Sequence, residues 1–362
     1  HKTGRKKIRV GWVSGDLRDH AVGNFVVPIL EQLDRTQFES IVYYNSHISD
    51  AMSQRARQAT ARWHATADMS DAQLAARIRQ DDVHLLIDLA GHTDGSRLQV
   101  FAHRPAPVQA TWLGYPSTTG LTSMDYVLVP PDPILLAGGW CSETPLALPD
   151  CYCARDASQL STEAMLAQPC DANGFITFGC LNNFAKVSPS AVATWARILD
   201  EVPDARLILV ATGGTDDELV SDIRARFETL GVAAARLDIR SRMNLQTYRA
   251  AYREIDIGLD PFPFNGGTTG FDSLCMGAPF ITLEGLGLHA RMGGNLLRVI
   301  GLHELIASTV DDYVAKAVAL ASRREELRQI RVDLPQRMRA SPLLDIKRFA
   351  HGLEQVFHKI LR

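Results

Sequence analysis

The chain has 362 residues, 46% of them hydrophobic and 22% charged, the balance of a folded globular protein. At this length one ordinary core does not suffice, and two domains are expected. A formal net charge of −3 supplies no basic field for nucleic acid or an anionic membrane surface, so neither is expected as a partner.

No apolar run approaches the ~20 residues of a membrane span. The six cysteines are scattered without a Cys-x-x-Cys pair, which fits a reducing, cytoplasmic setting and gives zinc no site. Strands and helices alternate from the start. A strand is predicted over 8–13, a turn at Ser14-Gly15-Asp16, a helix over 22–33, a strand over 38–44 and helices over 51–60 and 71–80. Strands follow over 83–89, 108–112 and 126–129, the pattern of a parallel sheet covered by helices. From 130 to 173 the pattern gives way to Pro, Gly, Cys and Asp, and the domain boundary is placed there.

A second alternating unit has strands over 175–180, 205–210, 237–241, 255–259 and 279–283. Its helices are predicted over 189–201, 217–231, 245–254, 290–300 and 310–322, and a last helix covers 344–360. The fold expected is α/β, with two Rossmann-like domains facing a central cleft. They are set at 1–150 and 151–343, with a terminal helix over 344–362. In such sheets ligands bind beyond the carboxyl ends of the strands.

The richest stretch runs from Asp256 to Leu274. A short apolar strand is closed by Asp260-Pro261, and Asn265-Gly266-Gly267 allow a sharp bend and a close approach to a ligand. Thr268 and Thr269 then offer hydroxyls and amide N–H groups at a helix start, where the helix dipole favours an anion. Asp272 falls one turn later, suited to a ribose hydroxyl. These are the parts of a nucleotide-diphosphate cradle, and equally those of an ordinary loop with its N-cap. Neither a Gly-x-x-x-x-Gly-Lys-Ser/Thr loop nor a Gly-x-Gly-x-x-Gly after the first strand occurs, which excludes a P-loop and argues against a dinucleotide site.

His20 lies just past the first strand, where it is either a general base, a holder of an acceptor hydroxyl or a surface histidine. His92 occupies a comparable edge after the third strand, and His64 sits beside Trp63. Lys186, in a strand-to-helix loop of the second half, suits a diphosphate leaving group or is simply solvated. Leu113-Gly114-Tyr115-Pro116 forms a tight turn able to meet a sugar through its backbone, or a purely structural one; Tyr248 offers a ring for a base. No carboxylate pair has metal-ligand spacing, so charge neutralisation falls to Lys186 and a helix N-terminus, and no metal or other cofactor is expected.

In this order the pieces resemble the catalytic region of the protein O-GlcNAc transferases and the related SPINDLY-type O-fucosyltransferases. The motifs are Val10 to Asp16 with His20, Arg104 to Pro116, Met124-Asp125-Tyr126, Asn182 to Val187 and Asn265 to Asp272. The resemblance implies a GT-B fold and an inverting, metal-independent transferase that uses UDP-GlcNAc on Ser or Thr hydroxyls of proteins. It implies that His20 and His64 are active-site histidines and that Lys186 and Asn183 contact the donor diphosphate. By the same likeness Thr268 and Thr269 bind phosphate, Asp272 the ribose, and Leu113, Gly114 and Pro116 border the sugar, with Gly266 and Gly267 expected to line the same donor site. Gly267 and Tyr248 stand where animal members carry histidines, which opens the alternatives of GDP-fucose or a hexose donor. A nucleotide-sugar-binding module without turnover is the non-enzymatic alternative. Members usually carry tetratricopeptide repeats before this region, and these are expected in the full-length protein.

Overall fold

The computed structural model describes residues 7–157, 168–211 and 217–362. Two compact units are present, His1–Gln159 with Pro342–Arg362, and Leu160–Ser341.

The first unit contains a seven-stranded, wholly parallel sheet: β1 (Ile8–Ser14), β2 (Phe38–Tyr44), β3 (Arg62–Ala65), β4 (Leu85–Asp88), β5 (Val108–Thr111), β6 (Tyr126–Val129) and β7 (Thr144–Ala147), ordered 3-2-1-4-5-6-7. Its central strands β1 and β4 are mostly apolar and almost wholly buried, as strands covered on both faces by helices are. On one face Val13, Ile41, Tyr43 and Leu86 pack with Leu74 and Ile78 of the helix Asp71–Gln80. The terminal helix Ile346–Ile360 belongs to this same unit rather than standing apart. Phe357 sets its ring 6.0 Å from both Trp12 and Phe38, and Phe349 stacks on Trp112 at 5.9 Å. Glu354, on the same helix, accepts a hydrogen bond from Asp34 N at 2.6 Å.

The second unit has a six-stranded parallel sheet: β8 (Thr177–Asn183), β9 (Arg206–Val210), β10 (Leu237–Arg240), β11 (Ile257–Leu259), β12 (Phe280–Leu283) and β13 (Ile306–Ala307), ordered 10-9-8-11-12-13. In both units the chain reverses its direction of strand addition beside the first strand, between β1 and β4 and again between β8 and β11. Such switch points open a crevice at the strands' carboxyl ends.

The expectation of two parallel-sheet Rossmann-like domains is borne out. Several short elements, β13 among them, were not foreseen, and three differences bear on the architecture. Part of the expected boundary loop is β7, and Cys151 to Ala154 beyond it are buried in the first unit. β3 was not foreseen, being four residues long with exposed ends. The helix Arg324–Ala340 also escaped prediction because its charged residues and internal Pro335 obscure an apolar stripe of Leu327, Ile330, Leu334 and Met338. Residues 158–167, part of the expected boundary loop, lie outside the described residues.

Candidate functional site

The second unit's switch point gathers most of the residues singled out. β8 ends at Asn183, whose side-chain oxygen accepts from Ala185 N and starts the 3-10 turn Phe184–Lys186. Ser188 caps the next helix and donates its hydroxyl proton to Phe262 O at 2.6 Å, while Val187 bridges Pro263. The loops after β8 and β11 are therefore tied together. Lys186, half-buried, holds its Nζ 4.4 Å from the centre of the Phe264 ring. Burial lowers its pKa, and the charge of Asp260 opposes that shift.

Asp260, directly after β11, folds the second loop back on itself. One carboxylate oxygen accepts from Gly266 N and the other from Thr282 Oγ1, each at 2.7 Å. Burial pushes its carboxyl up to about 7 against these bonds and the Lys186 charge. Asn265 N donates to His289 O at 2.9 Å, and the His289 ring tilts against Phe264. At Gly266 a Cβ would overlap Thr269 Oγ1 and the Asn182 amide, so the close approach requires glycine. The helix Gly267–Cys275 begins there with no side-chain cap. A helix start without a side-chain cap leaves its first amides for another acceptor, the arrangement that receives an anion.

Thr268 and Thr269 sit half-buried in that first turn, and Thr269 Oγ1 donates to Asn182 Oδ1. Asp272 is buried in the second turn, near enough for its charge to act on the Tyr252 hydroxyl. Tyr252 donates to Thr269 O at 3.0 Å and Tyr248 stands 2.8 Å from it, hydroxyl to hydroxyl. Since the Tyr252 proton is used on Thr269, Tyr248 is the donor in that pair. Lys186, Gly266, Gly267, Thr268, Thr269, Asp272 and Tyr248 thus share one edge. Asn183 lies at the same edge but spends its carbonyl on the local turn.

The first unit's residues occupy the carboxyl edge of its own sheet. His20 is the N-cap of the helix Ala21–Gln32, its Nδ1 accepting from Val22 N at 3.3 Å and lying 3.8 Å from Asp16. Burial lowers its pKa, with Asp16 pulling the other way. An accepting Nδ1 leaves the ring proton on Nε2. Leu113 takes φ +75°, rare for a branched residue and held by Leu113 N donating to Tyr152 OH at 2.9 Å. A Cβ on Gly114 would run into Leu89 O. His92 hydrogen-bonds Thr119 O at 3.1 Å and meets the Tyr115 ring edge-on, closing the turn that carries Pro116.

His64 is brought elsewhere. It lies on edge strand β3, separated from β1 by β2, stacked 5.4 Å from Tyr43 and 3.0 Å from the buried Asp81. Asp81 also takes the Tyr43 hydroxyl and Arg62, so the cluster serves to neutralise a buried carboxylate.

Asp260, Asn182, Phe264, His289 and Tyr152 were given no role at the site from the sequence. Asp260 did carry a signal, a carboxylate at the end of a buried strand. Asn182 carried none, since its partner Thr269 lies 87 residues away. Among the described residues no helix is long and apolar enough to cross a membrane, and no three His, Cys, Asp or Glu side chains come together as metal ligands.

Comparison with known proteins agrees with this architecture. The model of Glycosyl transferase family 41 matches residues 1–144 and 150–353. A tomato (Solanum lycopersicum) protein described as a probable UDP-N-acetylglucosamine–peptide N-acetylglucosaminyltransferase SPINDLY is 34% identical over all of this chain. The chain spans 39% of that relative's length. The structure of a mutant O-GlcNAc transferase from Thermobaculum terrenum superposes with a TM-score of 0.90 at 36% identity, over 98% of this chain and 68% of that one. A glycosyltransferase from Rickettsia africae, at 9% identity and a TM-score of 0.62 over 99% of this chain and all of its own, shares the fold alone. The fold is that of the GT-B glycosyltransferases, two Rossmann-like domains, and the resemblance read from the motifs holds. By the reach of the family match and the likeness to the Thermobaculum enzyme, this chain belongs to glycosyl transferase family 41.

Proposed function

We propose that the chain is the catalytic region of an inverting, metal-independent transferase that moves N-acetylglucosamine from UDP-GlcNAc to Ser or Thr hydroxyls of proteins. The observation that carries this reading is the uncapped helix start at Gly266–Thr269 with Lys186 on the adjoining loop. The acceptor oxygen attacks the anomeric carbon in line, and the bond to the UDP oxygen breaks with its electron pair leaving on UDP. Lys186 and the helix N-terminus stabilise that departing charge. With Nδ1 taken by the helix cap, His20 offers Nε2–H, which suits holding an acceptor oxygen rather than removing its proton. A donor phosphate oxygen then receives the proton. Acceptor proteins are the second substrate, and tetratricopeptide repeats elsewhere in the full-length protein recruit them.

A second reading keeps the machinery and changes the donor to GDP-fucose. It draws on Gly267 and Tyr248, which replace the histidines of animal members, and on the SPINDLY relatives. Calorimetric titration with UDP, UDP-GlcNAc, UDP-glucose and GDP-fucose in the presence of a chelator, followed by transfer to a Ser/Thr peptide, separates the two. Binding of UDP and UDP-GlcNAc with transfer of GlcNAc is expected. Preference for GDP-fucose supports the second reading, and UDP affinity that collapses in chelator and returns with magnesium defeats metal independence.

A further inference from the structure

Asp260 has no part in the transfer proposed above, yet it braces the loop on which the cradle is built. It fixes Gly266, the residue that opens the phosphate-facing helix, and fastens the same loop to β12 through Thr282. Gly293 packs against it so closely that a Cβ would overlap its Oδ2, leaving no room for water on that side. Its backbone carbonyl receives the Tyr313 hydroxyl at 3.0 Å. Asp260 as a residue is 4% exposed, and the hydrogen-bond donors to its carboxylate are neutral.

The titratable groups that face it are Lys186 from the turn after β8, Cys180 from β8 and Tyr313 from the helix Val310–Ser322. Burial pushes the Cys180 thiol up to about 12 and raises the Tyr313 hydroxyl well above its ordinary value, so both stay neutral near pH 7. Lys186 is the cation that offsets the Asp260 charge.

We propose that Asp260 is a positioning residue that holds the loop and balances Lys186 in the free protein, and that it takes up a proton when a nucleoside-diphosphate sugar claims the Lys186 charge. The proposal rests on the donor reading above. A donor diphosphate brings negative charge to the cradle and draws the Lys186 ammonium toward itself. Both changes disfavour a second anion in a buried position. The proton comes from solvent and ends on an Asp260 oxygen; its neutral form still accepts from Gly266 N and Thr282 Oγ1, so the loop keeps its shape. The starting point is favourable, since the carboxyl already titrates at about 7.

UDP-GlcNAc and GDP-fucose are diphosphate diesters with no group of their own titrating between pH 7 and 8, so calorimetry in buffers of different ionisation enthalpy reports the protein's proton. Uptake is expected at pH 8 and little at pH 6, with affinity falling by up to about tenfold per pH unit above 7. Asp260→Asn is expected to bind the same donor with no uptake and a flat affinity profile. Thr282→Val, which removes one bond to the charged form, is expected to move the onset of uptake to higher pH. Donor binding without proton exchange in the wild type overturns the proposal, as does uptake that persists in Asp260→Asn. If Asp260→Asn does not fold, an onset unmoved in Thr282→Val overturns it instead. Failure of both donors to bind defeats the donor reading and carries this proposal down with it.

Discussion

Two strand-to-helix junctions, one after β1 and one after β11, start from the same design and end differently. Each follows a strand beside a switch point, and each turns into a helix. After β1 the junction is closed by its own chain, because His20 accepts from Val22 N and fills the N-cap position. After β11 the cap is Gly266, which has no side chain to give, and the junction is left open. It is braced instead by Gly266 N donating to Asp260, Thr269 Oγ1 to Asn182, Asn265 N to His289 O and the Tyr252 hydroxyl to Thr269 O. A helix start that is braced but uncapped is built to receive an anion; a self-capped one is built to fix a side chain. On this view the second unit binds the donor and the first presents His20.

The largest effect should come from the one cation on the open junction's neighbouring loop. Lys186→Ala is expected to lower kcat about 100- to 1000-fold, the cost of removing a preorganised charge from a leaving group. A steady-state assay with a validated acceptor measures it, and full turnover in the variant would remove Lys186 from the mechanism. On the closed junction, His20→Ala is expected to cost about 10- to 100-fold in transfer through lost positioning, with near-normal UDP affinity. Loss of UDP binding in this variant would place His20 on the nucleotide and erase the contrast between the junctions.

The pH response sharpens the same contrast. Burial holds the His20 pKa below its ordinary value, so the ring is neutral at pH 7 and Nδ1 accepts. Protonation at lower pH turns that acceptor into a donor and breaks the cap. An acid limb in kcat/KM below about pH 6.5 is therefore expected, and His20→Asn, which keeps an N-cap acceptor, should lose it. An unchanged limb in His20→Asn would assign it to another group.

A smaller effect separates the units. Gly114→Ala places a Cβ against Leu89 O and is expected to destabilise the first unit by about 1–3 kcal/mol. Thermal unfolding reads the loss, while UDP affinity at the second unit should be unchanged.

The alternation of strands and helices was legible because buried parallel strands are continuous apolar runs, and the open junction was legible because Gly and Thr cluster where a strand meets a helix. What stayed hidden depends on partners distant in sequence. His64 was singled out by the resemblance alone, and nothing in its neighbourhood in the sequence points to Asp81, which it meets from the end of another helix. Of the two adjacent asparagines, Asn182 turns inward to Thr269 and Asn183 stays exposed, a difference that depends on a partner 87 residues away. The helix Arg324–Ala340 was lost behind its charges, and the terminal helix was set apart because nothing in its own residues names Trp12 and Phe38 as its partners.

The central claim is that nucleotide-sugar binding engages the open helix start and spares the capped one. Hydrogen exchange of the backbone amides, compared with and without saturating UDP-GlcNAc or GDP-fucose, tests it directly. Slowed exchange at Gly267, Thr268 and Thr269 is the predicted result, with none at Val22 and Gly23. Protection at Val22 and Gly23 instead, or a bound donor that leaves the Gly267–Thr269 amides exchanging as before, would contradict it.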